Sequence, residues 1–197
     1  MVRLALGLRA PDPDAVARWR NRPRTDEPRD GLRHDRHEVT VRVADDEADA
    51  AFEAARARLR DYRIFPPSVL RPTVDTPDGV VRDGALVVFR ASLPPGVLSV
   101  EGAVRVLRTW DDESAGARET GFEIATLAGH PERGAEMFVV RLDRQARRLT
   151  LRIEAWSRPA SALVRLGGPI GRRIQLRATR AAVAEFGSRA GTPPGAG

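Results

Sequence analysis

The chain has 197 residues, no cysteine and a net charge of +6, a length that can enclose one sizeable core. Without cysteine it has no disulfide, no thiolate zinc site and no thiol nucleophile, and no apolar run approaches the roughly 20 residues of a membrane helix. The expectation is one cytoplasmic domain over 38–188 with no transmembrane segment, preceded by a largely irregular segment over 1–37 and followed by a disordered tail over 189–197.

All 33 basic residues are Arg. Arginine suits phosphate and carboxylate recognition through its planar fork. Together with abundant Ala, Gly and Pro, however, the absence of Lys matches a GC-rich coding sequence, which accounts for the bias without any nucleic-acid partner.

Pro13 can open a short helix through Trp19 with Asp12 as its cap, within a stretch otherwise expected to be loop or disorder up to His34. Order is expected from Glu38. The alternation in Val39-Thr40-Val41-Arg42-Val43 predicts a strand with one buried face. Asp45 or Asp46 then caps a helix to about Arg60, with Phe52, Ala55, Leu59 and Tyr62 as its inner stripe. Phe65-Pro66-Pro67 stops that helix, and a loop rich in Pro, Asp and Gly follows.

Five strands come next, marked by Ala85, Val87 and Phe89, by Val100, Val104 and Val106, by Phe122 and Ile124, by Phe138, Val140 and Leu142, and by Leu149, Leu151 and Ile153. Their short links favour antiparallel neighbours. The chain is expected to finish in helix, with Ser157 capping and Pro159 in the first turn. Gly167-Gly168-Pro169 would break that helix, and Ile170, Ile174, Ala178, Ala181 and Ala182 would line its apolar stripe. The fold class predicted is α+β: a curved antiparallel β-meander covered by a long C-terminal helix. This layout is similar to that of helix-grip proteins, the class of plant allergen-like and START-like domains, in which a cavity often separates sheet and helix.

The densest polar segment runs from Thr126 to Phe138. As a hairpin, it places Glu136 on the face of Phe138, Val140 and Leu142, and Thr126 on the face of Phe122 and Ile124. Both polar groups then sit at the rim of an apolar face, where dehydration raises a carboxyl pKa. His130 with Glu132 or Glu136 could serve acid–base chemistry; alternatively Glu136 accepts turn N–H groups and His130 caps the loop. Arg158 is expected at the start of the last helix, as an anion ligand or as a salt bridge between helix and sheet. The Tyr62 hydroxyl could reach a cavity, or the residue simply ends the helix stripe.

In this segment Thr126-Leu127, Gly129-His130-Pro131-Glu132, Gly134, Glu136 and Phe138 resemble the signature of the bacterial and plant family DUF1990. The resemblance continues in Ala155-Trp156-Ser157-Arg158-Pro159-Ala160, Gly168-Pro169, Gln175 and Arg177 to Arg180, and upstream in Tyr62-Arg63-Ile64-Phe65-Pro66. It covers about Glu38 to Phe186. Departures are Ala125 where relatives often carry Gly, Ala135 where they often have a second acid beside Glu136, and Ala181-Ala182 after Arg180. The resemblance implies a fold and a shared surface, and no activity.

No metal or cofactor is expected, since three histidines give no zinc spacing and nucleotide and nucleophile-elbow motifs are missing. Three readings follow. The first is a small apolar or amphipathic ligand held between sheet and C-terminal helix, oriented by Thr126, Glu136 and His130. The second is a hydrolase, cyclase or isomerase using His130 with Glu132 or Glu136. The third is anion binding by the stretch from Arg158 to Arg189, whose seven Arg and single acid, Glu185, carry a net +6. Nucleic acid is not the expected partner.

Overall fold

The computed structural model describes residues 3–25, 29–93, 96–160 and 168–190, with side chains in the last stretch described from 176 to 188. Eight strands form one antiparallel sheet: β1 (Arg3–Leu6), β2 (Arg33–Arg42), β3 (Leu70–Asp75), β4 (Leu86–Leu93), β5 (Leu98–Glu113), β6 (Ala117–Thr126), β7 (Glu132–Asp143) and β8 (Arg148–Pro159). The helices are α1 (Pro13–Arg20), α2 (Ala48–Arg60) and α3 (Gly168–Ala190). The strand order is β2-β8-β7-β6-β5-β4-β3, and β1 pairs with β5 alongside its first residues, Leu98 to Glu101, which β6 does not reach. Consecutive pairing from β3 to β8 is the meander expected from the short links. The register shifts once, between Val106 and Arg108, where a bulge adds local twist.

Period-two patterning separates the two faces. On the inner face Val87, Val104, Val106, Phe122, Ile124, Phe138, Val140, Leu142, Leu149, Leu151 and Ile153 join Phe52 and Leu59 of α2 and Ala178 and Ala182 of α3 in the main core. Each fully buried Phe or Leu there contributes about 2 kcal/mol. On the outer face Leu86, Val88, Ala103 and Leu127 meet Val16 and Trp19 of α1.

The N-terminal segment is more ordered than its composition suggests. The stretch expected to be irregular carries β1, α1 and the first half of β2, because backbone pairing supplies what few large apolar groups do not: Arg33 to Arg42 pair in register with Ser157 to Arg148. The Pro13 helix forms as predicted, and Asp12 Oδ1 accepts the Ala15 N–H at 2.8 Å. Removing that cap with Asp12→Ala should lower stability by about 1 kcal/mol, read as a shift in the urea midpoint at unchanged slope.

Four further expectations are corrected. The N-cap of α2 is Glu47, with no side-chain cap, rather than Asp45 or Asp46. That helix ends at Arg60 as expected, but the prolines do not stop it: it closes in a turn where the Arg63 N–H bonds the Arg58 carbonyl and Tyr62 takes φ 55°. The loop after Pro67 contains β3, an edge strand that tolerates Pro72. Finally, Ser157, Arg158 and Pro159 do not open the last helix; they end β8, paired with Gly134, Arg133 and Glu132. The alternating pattern of β8 carries through them, and α3 spans Gly168–Ala190. Ile170 and Ile174 belong to α3 with side chains outside the described residues, as are residues 191–197 of the expected tail.

Candidate functional site

Pairing across β6, β7 and β8 builds the site. Glu136 stands opposite Ile124 on one side and Ala155 on the other. Two residues further along the same face, Phe138 is paired with Phe122 and Ile153. The rings of Phe122 and Phe138 lie 5.0 Å apart, and Tyr62 rests on both at 5.7 and 6.2 Å. Phe65 closes the group, 6.1 Å from Tyr62 and 6.0 Å from Phe138. Tyr62 reaches this floor only because the chain turns into the left-handed region just after α2, where glycine is the usual occupant. A bulky residue there costs roughly 1–2 kcal/mol of backbone strain, which burial of its ring offsets.

Glu136 is half-buried among these apolar groups, and no described residue gives it a hydrogen bond or an ion pair. Loss of hydration, with a smaller push from the charge of Glu132, raises its carboxyl to about 8. With a pKa of about 8, Glu136 holds its proton at neutral pH and has an O–H donor beside its carbonyl acceptor. The Tyr62 hydroxyl is 2 % exposed as part of its residue and equally lacks a hydrogen-bond partner among the described residues. Burial pushes it well above the ordinary phenol value, and a charge on Glu136 would push it further.

The remaining candidates are placed differently. Thr126 is committed to the backbone: its hydroxyl accepts the Gly134 N–H at 3.0 Å, lies 3.2 Å from the Gly134 carbonyl and 2.7 Å from the Thr25 hydroxyl. His130 Nδ1 lies 3.1 Å from the Glu132 N–H and 3.0 Å from the Glu132 carbonyl oxygen, so the main chain of Glu132 partners the ring in either tautomer. Its ring packs on Phe89 at 5.9 Å and above Gly102, where an added Cβ would meet the imidazole at 3.0 Å. Burial lowers its pKa to about 4, so the ring is neutral at pH 7. The contact between His130 and Glu132 is thus made through the main chain. Along the inner face, the row of Gly134, Thr126 and Val104 separates the Glu136 row from Gly102. Arg158 lies on exposed β8 backbone opposite Arg133. Only Glu136 and Tyr62 lie on the apolar floor.

A small pocket beside it, lined by Ala55, Arg58, Ile64, Val140, Leu151 and Phe186, holds about 20 Å³, room for one water-sized group. Among the described residues no group of three or more His, Asp or Glu is placed to hold a metal ion, and no helix is long and apolar enough to cross a membrane.

Sequence reasoning missed a second cluster on the outer face. Trp156 is stacked by His34 at 4.8 Å, and the Arg29 guanidinium lies 3.9 Å above its ring. His34 Nε2 lies 3.1 Å from Glu154, and Arg29 pairs with Glu123. The signal was the alternation through Trp156, which continues β8 and aligns it with His34 once β2 is extended back to Arg33. The buried acid Glu101 was also unmarked; it receives Trp19 Nε1 at 3.0 Å, with Arg90 and Arg18 at 3.3 and 3.5 Å.

Residues 16–185 match the family model described as Domain of unknown function (DUF1990). Comparison with curated proteins finds no match. Among solved structures, the chain is similar to a hypothetical protein from Helicobacter pylori at 9% identity, covering 80% of this chain and 88% of that one with a TM-score of 0.49. It is also similar to major latex-like protein 151 from Panax ginseng at 16% identity, covering 79% and 99% with a TM-score of 0.43. A protein from Arthrobacter aurescens solved by NMR shows 15% identity, 86% and 91% coverage and a TM-score of 0.45.

Proposed function

For a chain that belongs to the DUF1990 family, we propose a binding module whose inner sheet face, with α3 as its cover, takes up a small, mainly apolar ligand. The observation that carries this reading is Glu136: a carboxyl group on an aromatic and aliphatic floor with no partner among the described residues. A ligand offering a hydrogen-bond acceptor would supply the partner that the carboxyl lacks among the described residues. The described pocket of about 20 Å³ is smaller than such a ligand, so uptake there would part α2 or α3 from the sheet.

The test is titration with Nile red, followed by fluorescence, and native mass spectrometry of the protein as purified from cells. Saturable, blue-shifted emission at one probe per chain is expected. Ala155→Leu, which fills space beside Glu136, should weaken it at least tenfold while a urea melt confirms folding. Absence of saturable emission in the unaltered protein would overturn the proposal.

A further inference from the structure

Four large aliphatic side chains stand in the open where β1 meets the start of β5. Leu4 and Leu6 of β1 are 61 and 80 % exposed, and Val97 and Leu98 are exposed as well. The four form one surface: Leu6 pairs with Leu98, Leu4 pairs with Val100, and the Gly7 N–H donates to the Val97 carbonyl at 2.8 Å. Residues two apart share a face of a strand, so Leu4 and Leu6 stand on the side of Leu98 and Val100. Backbone pairing holds β1 to β5 whatever its side chains, and at these exposures the two leucines add little to the core. Single exposed aliphatics need no explanation, but a contiguous group marks a contact surface.

Charge selects the partner. Arg3 and Arg9 bracket Leu4, Leu6 and Leu8, and both are exposed. The sequence over 1–11 and 91–100 contains these two Arg and no acid. The acids that follow each stretch are engaged. Glu101, opposite Arg3, is buried and receives Trp19, Arg90 and Arg18. Asp12 caps α1 and lies 3.7 Å from Arg90. The surface is thus apolar at its centre and cationic at its border. Two copies meeting through it around a two-fold axis would bring like charges into one small contact. Four part-exposed aliphatic chains also fall short of the roughly 800 Å² per partner of a stable protein interface. An anionic bilayer accepts both features: aliphatic side chains enter the acyl boundary while arginines meet lipid phosphates at headgroup level.

We infer that β1 and the start of β5 dock on an anionic lipid surface, with Leu4, Leu6, Val97 and Leu98 inserted and Arg3 and Arg9 on the headgroup phosphates. This surface is independent of ligand uptake by the inner face. The test is flotation of the full chain with vesicles of phosphatidylcholine alone or of equal parts phosphatidylcholine and phosphatidylglycerol. Binding to the anionic vesicles should be at least tenfold tighter, and should weaken in about 1 M salt, where the Debye length is roughly 3 Å. Leu6→Ser should weaken it at least tenfold while leaving the urea midpoint unchanged, since the side chain is exposed. Arg9→Gln should weaken it about fivefold. Leu6→Trp should retain binding, and lipids with brominated acyl chains should quench the added indole. Anionic binding that Leu6→Ser leaves unchanged would mean that the net +6 of the chain adsorbs through another surface, and would overturn the proposal. Flotation with neither vesicle would overturn it too. A dimer in sedimentation equilibrium that Leu6→Ser dissolves would also overturn it, by giving this surface to a second copy.

Discussion

Gly134→Ala should destabilise the protein by more than about 3 kcal/mol and leave most of it insoluble on expression. Gly134 takes φ 151°, a region that L side chains rarely occupy and that alone costs roughly 1–3 kcal/mol. A Cβ there would also overlap the Trp156 carbonyl oxygen and stand 2.9 Å from Ser157 Cα. Both are backbone atoms of the neighbouring strand, so no rotamer change relieves the contact; β7 and β8 must separate. The same residue holds Thr126 through its N–H and carbonyl, so β6 loses its grip at the same point. Urea unfolding of the soluble fraction measures the loss, with Ala128→Gly as the comparison. A variant within 1 kcal/mol of the parent would mean that β7 and β8 do not approach as described.

Stability should also fall by about 2 kcal/mol between pH 6.5 and 8, and Glu136→Gln should remove that fall. The folded state keeps the Glu136 proton up to about 8 against an ordinary 4.5. Between those values the unfolded chain has released a proton that the folded chain retains, so stability declines as pH rises, by at most about 1.4 kcal/mol per unit. His130 acts in the opposite direction over a lower window. Its folded value of about 4 lies below an ordinary 6.5, so the unfolded chain binds the extra proton there and stability rises with pH. The two slopes cancel between about 4.5 and 6.5, and above 6.5 only Glu136 remains. Thermal melts across this range check the prediction; in Glu136→Gln the uncompensated His130 slope should appear as a gain in stability from pH 4.5 to 6.5. A parent protein with the same melting temperature at pH 6.5 and 8 would refute it.

The meander was legible because it is written in local terms. Val104, Phe122, Ile124, Phe138, Leu149 and Leu151 alternate with polar residues, and short turn segments leave few ways to connect them. The position of Glu136 on an apolar face followed from the same period-two rule. What stayed hidden depends on partners distant in sequence. Arg33 to Glu38 contain mainly charged and His residues, and become strand because β8 offers them an edge. Arg3 to Leu6 likewise take the side of β5 that β6 leaves open. Ser157-Arg158-Pro159 carries the local signature of a helix start and was misplaced for that reason; pairing with β7 outweighs the capping preference. The contact of Tyr62 with Phe138 was invisible, because it arises where a helix end from one region meets a strand about 75 residues later.

The pairing of β2 with β8 also bears on how the chain is made. These strands are separated by about a hundred residues, and β2 has no other partner in the sheet. At a synthesis rate of about 5–20 residues per second, β2 waits roughly ten seconds, with both edges open, for its neighbour to leave the ribosome. During that interval an apolar strand would be an aggregation hazard. Only Val39 and Val41 of its ten residues are aliphatic, and Arg33, Asp35, Arg36, Glu38 and Arg42 intersperse charge along it. The polar character that disguised β2 as a loop is what lets it remain in solution unpaired until the sheet can be closed.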